Sequence, residues 1–244
     1  MTRNMNLTPP EIDLDYHGEV FVFDLDDTLY PERDYMMSGF KAVAESVLAF
    51  PDCSENLSTD SVVLLMAEAY DRGGNAMDAL ADRLSLSGDL REAAIKDWVA
   101  LYRSHEPRLT LADDVEQTLA ALCARGVVLA LITDGRSVAQ RAKIAALGLN
   151  RYFSPDNIYI SEERGAGKES MEPFAYVVHR YPEAAGFRYV ADNPAKDFLF
   201  PNLMGWRTVC LLDAGTNIHS QKVAVASEYE PQATINSLTE LLKM

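Results

Sequence analysis

Asp24 and Asp26 are the residues of this chain whose type and spacing speak most directly of chemistry. They close the run Val20-Phe21-Val22-Phe23, and a spacing of two points both carboxylates roughly the same way on an extended strand. Neighbouring carboxylates repel, so such a pair needs a cation, a shared proton or a division of labour. Three further places carry reactive types after apolar runs or glycine turns. Thr133-Asp134-Gly135 ends Val127–Ile132, where a hydroxyl and amides entering a helix favour an anion. Lys168 follows Gly165-Ala166-Gly167 and offers a compact positive charge. Asp192-Asn193-Pro194 ends Phe187–Ala191, with Asp197 five residues after Asp192.

Each of these also has a plain structural reading. An acidic turn after a strand caps a helix or faces water, and Ser137 would serve as an N-cap. A lysine in a polar loop is usually a solvated charge. Asp-Asn-Pro is a good turn, and Asp197 suits the first turn of a helix.

The elements that would position these residues favour the chemical reading. Unbroken β-branched and aromatic runs describe strands buried on both faces, as in parallel sheets covered by helices. Ligands of such sheets bind outside the carboxyl ends of the strands, where Asp24, Thr133 and Asp192 all fall. A helix is expected from Asp113 or Asp114, with Val115, Leu119, Leu122 and Cys123 inward and an end at Gly126. Helices and short strands then alternate as Ser137–Leu147, Ile158–Ile160, Glu172–Tyr181, Tyr189–Ala191, Ala195–Leu203 and Thr208–Leu212, with a last helix over Asn236–Leu242. That alternation predicts parallel βα units.

Between Pro31 and about Pro107 the pattern turns to amphipathic helices. Met36, Phe40, Val43 and Val47 form one stripe, and Leu90, Ala94, Trp98 and Leu101 form another after the start signal Ser87-Gly88-Asp89. Asp71–Asn75 breaks the shorter helices between them.

The four segments, in this order, resemble the signatures of the haloacid dehalogenase-like (HAD) hydrolase superfamily. Asp24-Leu25-Asp26-Asp27-Thr28-Leu29 is similar to its first, Thr133 with its glycine turn to its second, Lys168 with Phe174 to its third, and Asp192-Asn193-Pro194 with Asp197 to its fourth. Gln140, Lys143, Ile144, Leu147 and Gly148 also match a pattern common among relatives. The chain departs from the family at Asp134, where Asn is common, at Glu169 for Pro, at Ala191 for Gly and at Asp27 for Gly. The likeness covers about Val20 to Leu212.

This resemblance implies an α/β fold, a Rossmann-like parallel sheet with helices on both faces, plus a small all-helical cap inserted after the first strand. The core would be 18–32 and 108–244, and the cap 33–107 with hinges near Tyr30–Asp34 and Pro107. It implies a magnesium-dependent phosphatase acting on a small phosphorylated metabolite, a sugar phosphate or a nucleotide-like one. Asp24 would be the nucleophile and Asp26 the general acid and base. Thr133, Asp134, Gly135 and Lys168 would surround the phosphate, with Thr133 and Lys168 also catalytic. Mg²⁺ would be held by Asp24, Asp192 and the main-chain carbonyl of Asp26, with Asp197 on the waters of the ion. Specificity would come from residues near Arg33, Tyr35 and Arg72–Asn75. A dehalogenase would share the nucleophile but lack the second aspartate. A phosphomutase on the same core and a catalytically silent binding protein are the other readings.

Composition narrows the surroundings. The formal charge is −15 over 244 residues, which disfavours nucleic acid and anionic membrane as partners. Three cysteines without close pairing, Cys53 in a polar loop and Cys123 and Cys210 in apolar patterns, suggest reduced thiols in the cytoplasm. The four histidines show no zinc-like spacing. Met1–Tyr16 is polar and lacks the apolar core of a signal peptide. No apolar run reaches membrane-spanning length.

Overall fold

In the computed structural model, residues 11–49 and 57–244 are described. The first ten residues and Cys53, read above from sequence, lie outside them. Six strands form one parallel sheet: β1 (Glu19–Phe23), β2 (Val128–Thr133), β3 (Ile158–Ile160), β4 (Gly186–Ala191), β5 (Arg207–Leu211) and β6 (Ala233–Ile235), in spatial order β3-β2-β1-β4-β5-β6. β6 follows a polar stretch and is too short to show in the apolar pattern. The chain winds outward from β1 to β3, then crosses back to lay β4 on the other side of β1. This reversal is the topological switch point, the place where open α/β sheets leave a crevice for ligands.

The helices are α1 (Glu32–Leu48), α2 (Thr59–Asp71), α3 (Ala76–Arg83), α4 (Gly88–Ser104), α5 (Asp113–Ala124), α6 (Ser137–Ala146), α7 (Ser161–Arg164), α8 (Glu172–Arg180) and α9 (Leu199–Leu203). Two compact units result: one holds the chain through Glu32 and from Thr110 onward, the other Arg33–Leu109.

In the sheet unit, residues 20 to 23 of β1 are all buried, as a strand covered on both faces requires. Val20 and Val22 join Ala130, Ile132, Tyr189 and Ala191 on one face, packed against Phe174 and Val177 of α8. Phe23 points the other way and meets Phe153 edge-on at 6.2 Å between ring centroids. In the helical unit, Met36, Phe40, Val43 and Val47 of α1 pack with Met66, Leu80 and Trp98. No helix among the described residues is long and apolar enough to cross a membrane.

Several local expectations change. Cys123 faces outward from α5, since Leu119 and Leu122 already fill the inward stripe. Leu90, in the first turn of α4, is exposed, so that stripe is buried only further along at Trp98. The helix expected from Ala195 starts at Leu199. Residues 193–197 form a turn instead, because Asp197 accepts the Asn193 amide at 3.1 Å and points inward. The C-terminal helix is a 3₁₀ segment, Leu238–Lys243, started by a Ser237/Glu240 capping box.

Candidate active site

Strand register brings the candidate residues together. Phe23 pairs with Leu131 and with Val190, so Asp24, Thr133 and Asp192 emerge at the carboxyl ends of three adjacent strands. The Asp24 amide continues the ladder to the Val190 carbonyl at 2.9 Å, fixing the backbone beneath its carboxylate.

Asp24, Asp192 and Asp197 are buried and can each aim a carboxylate oxygen so that all lie within 4.8 Å of one another. Lys168 Nζ donates to Asp24 Oδ1 at 2.5 Å and to Asp197 Oδ1 at 2.9 Å. Three buried carboxylates beside one ammonium, which bonds two of them, leave a formal surplus of two negative charges in a poorly solvated place. The electrostatics carry that strain. Burial pushes Asp192 up to about 8, helped by Asp24 and Asp197. Burial likewise raises Asp24, to about 7, against the pull of Lys168. For Lys168, burial works to lower the ammonium, but Asp197 and Asp24 outweigh it and hold it well above its ordinary range. All-oxygen donors with a double negative surplus suit a hard divalent cation such as Mg²⁺, which takes one or two carboxylates and fills its other positions with water and substrate. The residues present therefore fit the ion.

Asp26 stands apart from this trio. Its carboxylate accepts Lys143 Nζ at 2.7 and 2.9 Å, the Tyr30 hydroxyl at 2.5 Å and Gln140 Nε2 at 3.0 Å. Its side chain is thus held by three donors that lie outside the trio. Thr133 is buried, and its Oγ1 takes Gln140 Nε2 at 2.5 Å. Asp24, Asp26, Thr133, Asp134, Lys168, Asp192 and Asp197 all border one cavity of about 160 Å³. Gly135 does not border it. Its amide donates to Ser161 Oγ at 3.0 Å, and it faces a separate depression beside α7. At φ 140° its backbone is glycine's, and a Cβ there would press on the Gln140 side chain.

Asp134, which stands where Asn is common among relatives, has its charge paired. Its Oδ1 accepts the Lys168 amide at 3.1 Å and its Oδ2 pairs with Lys196 at 2.5 Å, so its charge is spent on fastening two loops.

Other contributors gave little signal in the chain. Asp27 sits at φ 56°, an uncommon conformation for a residue with a side chain. Its carboxylate accepts the amides of Glu32 and Ile218, each at 2.8 Å. The loop after β5 is built around Asp213, which accepts the amides of Gly215, Thr216 and Asn217. It then delivers Asn217 Nδ2 to Asp192 Oδ2 at 2.8 Å and Gln221 Nε2 to the Asp192 carbonyl at 2.7 Å. A polar loop has no periodicity, so nothing local announces these contacts. Asp27→Ala should cost about 2 kcal/mol in urea unfolding, because two amides lose their acceptor. Asp27→Asn keeps one of the two acceptor oxygens and should cost about half of that. Equal losses for both would contradict this role.

Known proteins resemble this chain in sequence and in fold. A family model described as haloacid dehalogenase-like hydrolase matches residues 19–197. A glyceraldehyde 3-phosphate phosphatase of Methanocaldococcus jannaschii is 29% identical over 227 residues, covering 91% of this chain and 94% of that protein. A phosphoserine phosphatase of Thermus thermophilus is 30% identical over 222 residues, covering 78% and 87%. Among solved structures, a HAD hydrolase of Bacillus subtilis bound to magnesium superposes with a TM-score of 0.58 at 21% identity, covering 93% of this chain and 98% of that one.

Proposed function

The chain belongs to the haloacid dehalogenase-like hydrolases, and on that premise we propose that it is a magnesium-dependent phosphatase of small phosphate monoesters. One observation carries the reading: two aspartates two residues apart stand in different environments at the same cavity. Asp24 is grouped with Asp192, Asp197 and Lys168, whereas Asp26 is held separately by Lys143, Tyr30 and Gln140. That is the division of labour that a nucleophile and an acid–base partner require.

In this mechanism a carboxylate oxygen of Asp24 attacks phosphorus while the ester oxygen departs with a proton from Asp26. An aspartyl-phosphate results. Asp26 then takes a proton from water, whose oxygen attacks the same phosphorus and frees Asp24 and inorganic phosphate. Lys168 neutralises equatorial charge, and Thr133 donates its hydroxyl to a phosphoryl oxygen. Mg²⁺, held by Asp24, Asp192 and the Asp26 carbonyl with Asp197 behind, would screen the phosphate from the carboxylates. The Arg33–Leu109 unit, inserted between β1 and β2, is assigned the role of a cap that supplies specificity. Unpaired Cys123 and Cys210 suit a reducing compartment, the cytoplasm.

The relatives act, by their names, on glyceraldehyde 3-phosphate and phosphoserine, so the substrate assigned here is a short phosphorylated sugar, aldehyde or hydroxy acid. A monoester panel should give kcat/KM for three- to five-carbon phosphates at least about tenfold above nucleoside monophosphates, a difference of about 1.4 kcal/mol. A nucleotide preference would overturn the substrate class. Halide release from a 2-chloro acid without phosphate release would replace the phosphatase with a dehalogenase.

A further inference from the structure

Buried lysines are expensive unless paired, and Lys143 is 4% exposed. Nothing in the mechanism above uses it. It does not border the acidic cavity, whereas the carboxylate it grips does. Both oxygens of Asp26 lie within hydrogen-bonding distance of its Nζ, at 2.7 and 2.9 Å. The Tyr30 hydroxyl holds Oδ1 of the same carboxylate, and Gln140 Nε2 holds Oδ2. Gln140 and Lys143 are three residues apart and so share one face of α6, the helix that starts four residues after Thr133. Gln140 Nε2 also reaches Thr133 Oγ1. One helix face therefore sets two groups at once: the hydroxyl that would meet the phosphoryl group and the carboxyl that would meet the leaving oxygen.

We propose that Lys143, together with Tyr30 and Gln140, is a positioning clamp that fixes the Asp26 carboxyl toward the leaving oxygen of the ester. The inference rests on the reading of Asp26 as general acid. A carboxyl with two free torsions would otherwise sample several staggered orientations, and only a well-placed one transfers a proton at the moment of bond cleavage. Lys143 meets neither the ester nor the phosphorus in this scheme and acts only through the Asp26 carboxylate it grips.

Leaving-group dependence separates this role from a merely structural ion pair. An alkyl phosphate expels a strongly basic alkoxide and needs the proton, whereas nitrophenolate leaves without one. The first irreversible step, expulsion of the leaving group, governs kcat/KM for both, so dephosphorylation does not enter. Wild type, Lys143→Met, Lys143→Arg and Asp26→Ala are compared on glycerol phosphate and p-nitrophenyl phosphate with magnesium. General acid catalysis contributes about 10²- to 10⁴-fold. Lys143→Met should accordingly lower kcat/KM for the alkyl ester at least about tenfold more than for the aryl ester. Lys143→Arg should recover part of that gap.

Equal losses on the two esters, or no loss on either, would overturn the clamp. Asp26→Ala is the control for the parent reading. If it shows no alkyl-over-aryl penalty, the assignment of Asp26 as general acid fails; if it does and Lys143→Met does not, only the clamp fails. Should Lys143→Met not fold, Tyr30→Phe removes a single hydroxyl from the same carboxylate and is judged by the same ratio.

Discussion

Asp24→Asn lowers phosphate release by about 10⁴-fold or more, the scale seen when a catalytic nucleophile is removed, and the protein remains folded. The amide is nearly the same size as the carboxylate, so the buried position at the end of β1 keeps its packing. Its oxygen can still accept Lys168 Nζ, now at 2.5 Å from Asp24 Oδ1. What disappears is the charged oxygen able to bond to phosphorus. The same substitution removes one of three crowded carboxylates, whose burial raises Asp24 to about 7. The metal-free variant is therefore expected to melt no lower than wild type, and to gain less from magnesium. Phosphate release and thermal melts, run side by side, check both halves. Turnover near the wild-type rate in the Asn variant would remove Asp24 from the mechanism.

Magnesium stabilises the wild-type protein more at pH 8 than at pH 6. Asp192 is raised from 3.8 to about 8 by burial and by its neighbours Asp24 and Asp197. A carboxyl raised by folding binds its proton more tightly in the folded state than in the unfolded one. Its contribution to stability is full below about pH 4 and is lost as pH rises through about 8. The metal-free protein should consequently weaken across that window as Asp192 and Asp24 are forced to ionise together. A divalent ion needs those carboxylates ionised and competes with the protons. Its benefit thus grows where the metal-free protein is weakest. Thermal melts at both pH values, with and without magnesium, read the effect. A magnesium shift that is larger at pH 6 would contradict the charge account of the trio.

The residues legible in the chain were those whose signal is local. Asp24, Thr133 and Asp192 each end an apolar run, and a parallel sheet necessarily gathers such ends at one edge. Lys168 was legible only through its place in the series, since a lysine after two glycines says little by itself. The missing parts depend on contacts across long stretches of chain. Lys143 and Gln140 showed as a spacing, but their grip on Asp26 spans more than a hundred residues. Asn217 and Gln221 sit in a polar loop ordered locally around the Asp213 turn. Asp134 and Asp27 read as departures from a pattern, and each proves to fasten loops whose proximity comes from the fold. Gly135 read as a phosphate-side glycine, yet its amide is occupied by Ser161. The helix read from Ala195 fails for a related reason. Asp197 is drawn inward by Lys168 and the Asn193 amide, and helix propensity does not outweigh those bonds.

The most direct test of the central claim is phosphate release from glyceraldehyde 3-phosphate, phosphoserine and related short monoesters, with the metal toggled in one sample. The account requires release with magnesium, arrest on adding a chelator in excess, and recovery when magnesium is restored. Release that continues through chelation, or none from any ester by folded, magnesium-saturated protein, would contradict it.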